Sequence, residues 1–378
     1  MKRVFVARRG RVCLVTSIVA MTMFAIVFLV PPNPPDSHAA IPPTSIVTGV
    51  ALPLAVDATK VLGHDRCGKC HKSEVAAWKL SSHAKKSFSL LSDKKAPEFA
   101  KALGVTGNLA QSVCGDCHAT KQAETAIHGV SCESCHGAAG PEDNVKGWFS
   151  VHSDYGEGLT DRTKETEGHQ KKRIAAAHAA GMNSSSQIYE LARNCLSCHT
   201  VPHEKLVNAG HPTSSRFELV EWAQGEVRHN FKIDQTVNAG SPSLWLDPHW
   251  NGPGRTSENR KKVMYVVGQL ADLEVSLRSR ATATEGDFST VVSRRISSVQ
   301  RKLKKLVHIP AVAEALAAVK TIDRTALKTF GAGDKELYGK AADAVAAAAR
   351  KISKSSDGSD LGEVDVPDDA LGESYKGG

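Results

Sequence analysis

Apolar positions recur at helical spacing through the last third of the chain. Val263, Val266, Val267, Leu270, Leu273 and Leu277 fall on one helix face, and Val291, Ile296, Val299, Leu303 and Leu306 do so again. Ala311–Lys320 and Ala341–Ile352 are rich in alanine, the strongest helix former. The pattern predicts three or four amphipathic helices across residues 255–353. Apolar stripes ordinarily face a core. This region is therefore expected to be a helical bundle covering the rest of the chain, ahead of the rival reading as a partner-docking module.

Upstream the periodicity is weaker. Glu74–Lys86 reads as a helix anchored by Trp78, and Gln170–Ala180 as another. Gly- and Pro-rich segments at Asn238–Pro242 and Asn251–Gly254 mark a boundary. Residues 61–250 then form one domain, mainly α with little regular sheet, preceded by a Pro-containing linker at 40–60. Residues 354–378 carry seven acidic residues and few large apolar ones, and are expected to be disordered.

The N-terminus has its own pattern. Five basic residues lie between Met1 and Arg11, and Val12–Val30 follows without a charge. Pro31, Pro32, Pro34 and Pro35 stop any helix, and Ser37-His38-Ala39 fits a small-x-small cleavage site. Residues 1–39 read as a signal peptide or a retained membrane anchor, and both place the remainder outside the cytoplasm, in the periplasm or its equivalent. Taking residues 1–39 away removes five basic residues and one acidic, which turns the formal charge of +8 into +4. No basic run with interleaved aromatics appears, which argues against nucleic-acid binding. Aromatic content is only 5%, so something other than aromatic side chains must fill the first domain.

The cysteines supply it. Cys13 lies in the leader as a small apolar residue. The other eight form four pairs, each followed by histidine: Cys67-x-x-Cys70-His71, Cys114-x-x-Cys117-His118, Cys132-x-x-Cys135-His136 and Cys195-x-x-Cys198-His199. Two thiols at this spacing reach the two vinyl groups of one haem, and the next residue sets its imidazole under the iron. Zinc does not require a histidine after every pair, and disulfide-exchange motifs do not come in fours. The cofactor expectation is four haem c groups, with His71, His118, His136 and His199 on iron.

Each iron has a second axial position. Beyond residue 40 only Met182 and Met264 exist, so histidine must dominate. His83 stands out, because a helix leaving one haem can carry it to a neighbouring iron. His128, His152, His211 and His229 are the further candidates, five in all for four vacancies. His64, His169, His178, His203, His249 and His308 are read as ordinary histidines.

At these residues the chain resembles the tetrahaem cytochrome c-554 family. The likeness lies in Cys67-x-x-Cys70-His71-Lys72 with Trp78, Ser82, His83, Ala84 and Lys85, and in Gly129-Val130-x-Cys132-Glu133-Ser134-Cys135-His136-Gly137. It implies a mostly helical fold with haems in close-packed pairs, three of them bis-histidine and one five-coordinate. The open iron would be the second, on His118, with His83 and His152 as distal ligands and His229, about thirty residues after the fourth motif, as the distal ligand of the fourth haem. His128 and His211 depart from that pattern: His128 could close the second haem, and the Ala-Gly-His211-Pro turn is extra to it.

The function expected is electron transfer between redox protein partners, a donor and an acceptor, with the membrane involved only through an N-terminal anchor. The alternative is a redox enzyme for a small nitrogen compound at an open iron. That reading needs a vacancy and a distal proton donor, and the surplus of histidines argues against the vacancy. A sensor or storage role has no output domain to support it.

Overall fold

The longest helix of the protein, α12 (Ser257–Thr282), runs through its largest apolar core. The computed structural model describes residues 56–123, 125–126, 128–140, 147–156, 164–213, 216–225, 257–284, 286–320, 322, 335–367 and 371. The leader, the segment around Asn238–Gly254 and His229 lie outside them. Among the described residues the fold is mainly α, and the sole extended pairing is an isolated bridge between Gln122 and Thr125.

Around α12 stand α13 (Gly286–Lys304), α14 (Pro310–Lys320) and α15 (Lys335–Ser355). The stripe read from the sequence is the buried face: Val263, Val266, Val267, Leu270, Leu273 and Leu277 are fully enclosed. α12 is also enclosed where the pattern makes it polar. Glu274 accepts hydrogen bonds from the Tyr189 hydroxyl (2.7 Å) and Arg278 Nε (2.9 Å). Asp272 takes both ends of the Arg295 guanidinium at 2.5 and 2.9 Å. Buried carboxylates are tolerated here because each is paired and hydrogen-bonded.

The partners of α12 include α9 (Ile188–His199) and α11 (Leu219–Gln224). Ile188, Tyr189, Ala192 and Leu196 belong to the same apolar cluster as the C-terminal helices. Gly268 of α12 lets Leu219 approach; an added Cβ there would lie 3.0 Å from the Leu219 Cβ. The boundary drawn near residue 250 is therefore not a boundary in packing. Leu196 sits between the two cysteines of the fourth motif and is 1% exposed.

The first part of the chain is built from short helices. These are α1 (His64–Gly68), α2 (Lys72–Leu80), α3 (Lys86–Ser89), α4 (Ala96–Leu103), α5 (Gly115–His118), α6 (Cys132–His136), α7 (Trp148–His152), α8 (Glu167–Ala179) and α10 (Glu204–Asn208). Glu74–Lys86 is not one helix as the spacing predicts. It breaks at Ser81, which is extended (ψ 159°) and whose hydroxyl donates to the Trp78 carbonyl at 2.7 Å and accepts from the Ala84 amide at 3.2 Å. Local hydroxyl bonds of this kind replace a helical turn.

The acidic C-terminal stretch also differs from expectation. Residues 356–367 are packed, not disordered. Leu361 is buried, and Val364 and Val366 lean on the main core. Lys262 Nζ and His308 Nε2 reach the carbonyls of Gly362 (2.9 Å) and Leu361 (3.0 Å). Three well-spaced apolar side chains outweigh a composition that argues for solvation.

Leu196→Ala should lower global stability by about 3 kcal/mol, since it empties a core site. Urea unfolding followed by far-ultraviolet circular dichroism checks this; a change under 0.5 kcal/mol would mean that the fourth motif is not part of the bundle core.

Candidate functional site

Each CxxCH motif occupies a short helix or a helix end. α1 carries Cys67, α5 ends on His118, α6 is the third motif and α9 ends on His199. Side chains join these elements. Asn194 of α9 donates to the carbonyls of Ser134 (2.8 Å) and Cys135 (3.4 Å) in α6. Thr120, after the second motif, meets Ser134 at 2.5 Å between hydroxyls. Neighbouring thiols perturb one another across motifs: Cys132 pushes the Cys67 thiol up, and Cys198 pushes the Cys117 thiol up. Burial pushes the Cys135 thiol up to about 11. Among the described residues the eight cysteines form no disulfide, and no three His, Cys, Asp or Glu side chains cluster as a metal cage.

The histidines fall into facing pairs. His71 faces His152 with ring centroids 6.1 Å apart, His83 faces His199 at 6.0 Å, and His118 faces His211 at 6.2 Å. Every pair joins one motif histidine to one histidine from a distant segment. An iron between two imidazoles needs about 2 Å to each nitrogen, with each centroid about 1.1 Å behind it, hence about 6.2 Å between centroids. The rings are mutually turned by 20°, 86° and 68°, a freedom that rotation about two collinear metal–nitrogen bonds permits. The residues present therefore fit haem iron held by two histidines.

Protonation agrees. His118 Nδ1 donates to the Ser87 carbonyl at 3.0 Å, His136 Nδ1 to Asn183 at 2.8 Å and His211 Nδ1 to Pro212 at 3.0 Å. Each bond puts the proton on Nδ1 and leaves the Nε2 lone pair for a metal. Burial, with His83 next, pushes His199 down to about 4, so this imidazole is neutral.

Second-layer groups hold the ligands. Arg173 of α8 donates to the His152 carbonyl at 2.7 Å and is clamped by both oxygens of Glu165, each at 2.7 Å. Arg173 and His169 hold the Glu165 carboxyl down at about 2. Gly129 lies against the carbonyl of His83, where an added Cβ would be 2.2 Å from that oxygen. Val130 accepts from Trp78 Nε1 at 2.7 Å. Glu133, fully buried, accepts from the amides of Leu62 (2.9 Å), Ala139 (2.9 Å) and Gly63 (2.8 Å), tying the third motif to the chain entering the first.

His128 takes no such place. Its ring stands edge-on to His64 at 4.4 Å and 6.2 Å from Trp78. The fourth candidate partner, His229, lies outside the described residues. The supporting residues Arg173, Glu165 and Glu133 escape a reading based on motifs, since nothing in a lone Arg or Glu marks it; the Glu between the cysteines of motif three was the one visible hint.

The family described as cytochrome c554 and c-prime matches residues 66–137. This segment is similar to the cytochrome c-554 family. It contains the first three motifs with His83, whereas motif four, His152 and His211 lie beyond it. A curated relative, cytochrome c-554 of Nitrosomonas europaea, is 28% identical over 158 residues, covering 39% of this chain and 60% of that protein. No solved structure matches. A c-type cytochrome family implies covalently bound haem c, which accords with the cysteine pairs. In the cytochrome c-554 segment Gly129-Val130 and Glu133 are the contacts just described, so two of the residues carrying the resemblance position a ligand and a motif.

Two outcomes follow from these contacts. Gly129→Ala should displace His83 and convert one low-spin iron to high spin, seen by electron paramagnetic resonance; an unchanged low-spin spectrum would mean that His83 is not a ligand. Glu165 has a folded value near 2 against 4.5 unfolded. Its contribution is present above pH 4.5 and lost as pH falls toward 2. Glu165→Gln should thus destabilise at pH 7, and the gap to the parent in urea titrations should narrow as pH drops from 5 to 3. A gap independent of pH would refute the pairing.

Proposed function

We propose that this chain is an extracytoplasmic tetrahaem c-type cytochrome that passes electrons between protein partners. The observation that carries this reading is the set of three histidine pairs at 6.0–6.2 Å, each combining a CxxCH histidine with a distant one. His71 with His152, His118 with His211 and His199 with His83 are the proposed axial sets; the resemblance gave the place beside His199 to His229, and His83 is proposed there instead. The eight motif cysteines are the proposed attachment points. His128 is left out of the ligand set.

Haem supplies the reversible one-electron chemistry; the chain supplies ligands, burial and spacing. Two neutral imidazoles favour a lower potential than a methionine would. The proximity of Cys67 to Cys132 and of Cys117 to Cys198, with Asn194 joining motifs three and four, supports an order of motifs one, three, four, two along the path. Electrons would then leave the numerical order of the chain and follow the packing. The proposed export rests on the charge-free run at residues 12–30. Among the described residues no helix is long and apolar enough to cross a membrane.

His211 bears on the family expectation of an open second iron. The 6.2 Å approach of His211 to His118 supports a filled second site, and a carrier needs no vacancy. The decisive measurement is electron paramagnetic resonance of the oxidised protein with and without nitric oxide, after intact mass has counted four haems. Low-spin signals that ignore the gas are expected. His211→Ala should add one high-spin component that binds nitric oxide. A parent protein that already shows such a component would overturn the carrier reading in favour of small-molecule chemistry.

A further inference from the structure

The first motif differs from the other three in exposure. Cys70 is the one exposed cysteine among the eight described, and the His71 side chain is 39% exposed. α2 starts directly on this histidine. Its exposed positions are Lys72, Ala76 and Lys79, followed by Leu80, which at 65% is the most exposed large apolar side chain among the described residues. Lys69, between the motif cysteines, joins Lys72 and Lys79 around an open depression of about 390 Å³ with Val75 and Ala76 in its floor.

The charge there is unequal: Asp65 lines the same depression, and Lys69, Lys72 and Lys79 outnumber it. Residues 66–101 contain nine Lys or Arg against three Asp or Glu. Lys69, Lys72 and Lys79 are exposed, and among the described residues no carboxylate forms an ion pair with them. An apolar centre rimmed mainly by like charges suits a small, transient interface, where the charges steer encounter and the apolar contact holds it briefly.

We propose that the α2 face of Lys69, Lys72, Lys79 and Leu80 is the docking surface for an acidic one-electron protein, making the first motif the port through which electrons enter or leave. This rests on the cytochrome reading above and adds the place and the charge of the partner. A second basic surface exists on α13, at Arg294, Arg301 and Lys304. It carries no CxxCH motif, and the nearest one, motif four, has its thiols packed inside. It therefore serves as the control.

The test uses a reduced acidic [2Fe–2S] ferredoxin as probe. Each encounter moves one electron from its cluster to one ferric iron of the chain, which becomes ferrous. Stopped-flow rate constants are compared for the parent, the triple variant Lys69→Glu, Lys72→Glu, Lys79→Glu, and the control Arg294→Glu, Arg301→Glu, Lys304→Glu, which makes the same change of net charge. At low ionic strength the α2 set should slow the second-order rate at least tenfold and the control less than threefold, with both converging on the parent at high salt. Leu80→Ala should slow the rate about threefold at any salt concentration, on the scale of one lost apolar contact. Equal losses in the two triple variants, or a larger loss in the control, would overturn the proposal. So would a normal ferredoxin rate in the α2 variant with selective loss of pelleting on phosphatidylglycerol vesicles, since that assigns the face to a membrane. Haem count by mass and the low-spin signals of each variant separate failure of the docking face from failure of the cytochrome reading.

Discussion

Two imidazole rings held about 6 Å apart, from segments far apart in the chain, impose more on this backbone than any apolar contact does. A covalently attached haem fixes one ring; the other must arrive from elsewhere and stay in register. His152 arrives at the end of α7, held by Arg173 and Glu165. His211 arrives after α10 and is fixed by its own Pro212 carbonyl. His83 arrives in the break after α2, pressed by Gly129. The short helices of the first domain are what remains when the chain is required to make these returns.

The second constraint is burial of the fourth motif. α9 contributes Tyr189, Ala192 and Leu196 to the core and His199 to the ligand set. The ring of His199 packs against Phe217 (4.9 Å) and Trp222 (4.7 Å), which come from the chain leading into α11 and from α11 itself. One helix therefore serves both halves. The C-terminal helices are fixed to the redox centre through apolar contact and through the Glu274–Tyr189 bond, with no need for a ligand of their own.

Much of this was legible in the sequence. The four motifs and the apolar stripe of α12 follow from spacing that has one physical explanation each. His83, His152 and His211 were visible as candidates, but their pairing was not, because a lone histidine carries no mark of the iron it faces. His128 looked equally qualified and instead packs against His64 and Trp78. Across the boundary near residue 250, α9 and α11 share one apolar core with α12, a contact that a change in composition does not announce. Leu361, Val364 and Val366 are too few to stand out against seven acids in a count, yet they pack on the main core. Glu133 and Arg173 were silent, as charged residues inside a protein declare themselves only through their partners.

The place of Leu196 bears on how the molecule is made. Its neighbours Cys195 and Cys198 must form thioether bonds while their peptide is open to a bulky porphyrin and to the machinery that attaches it. Once α12 and α15 close on α9, Leu196 is sealed and that access is gone. With haem at the fourth motif as proposed, its attachment comes before the bundle closes, and the C-terminal helices act as the latch on it.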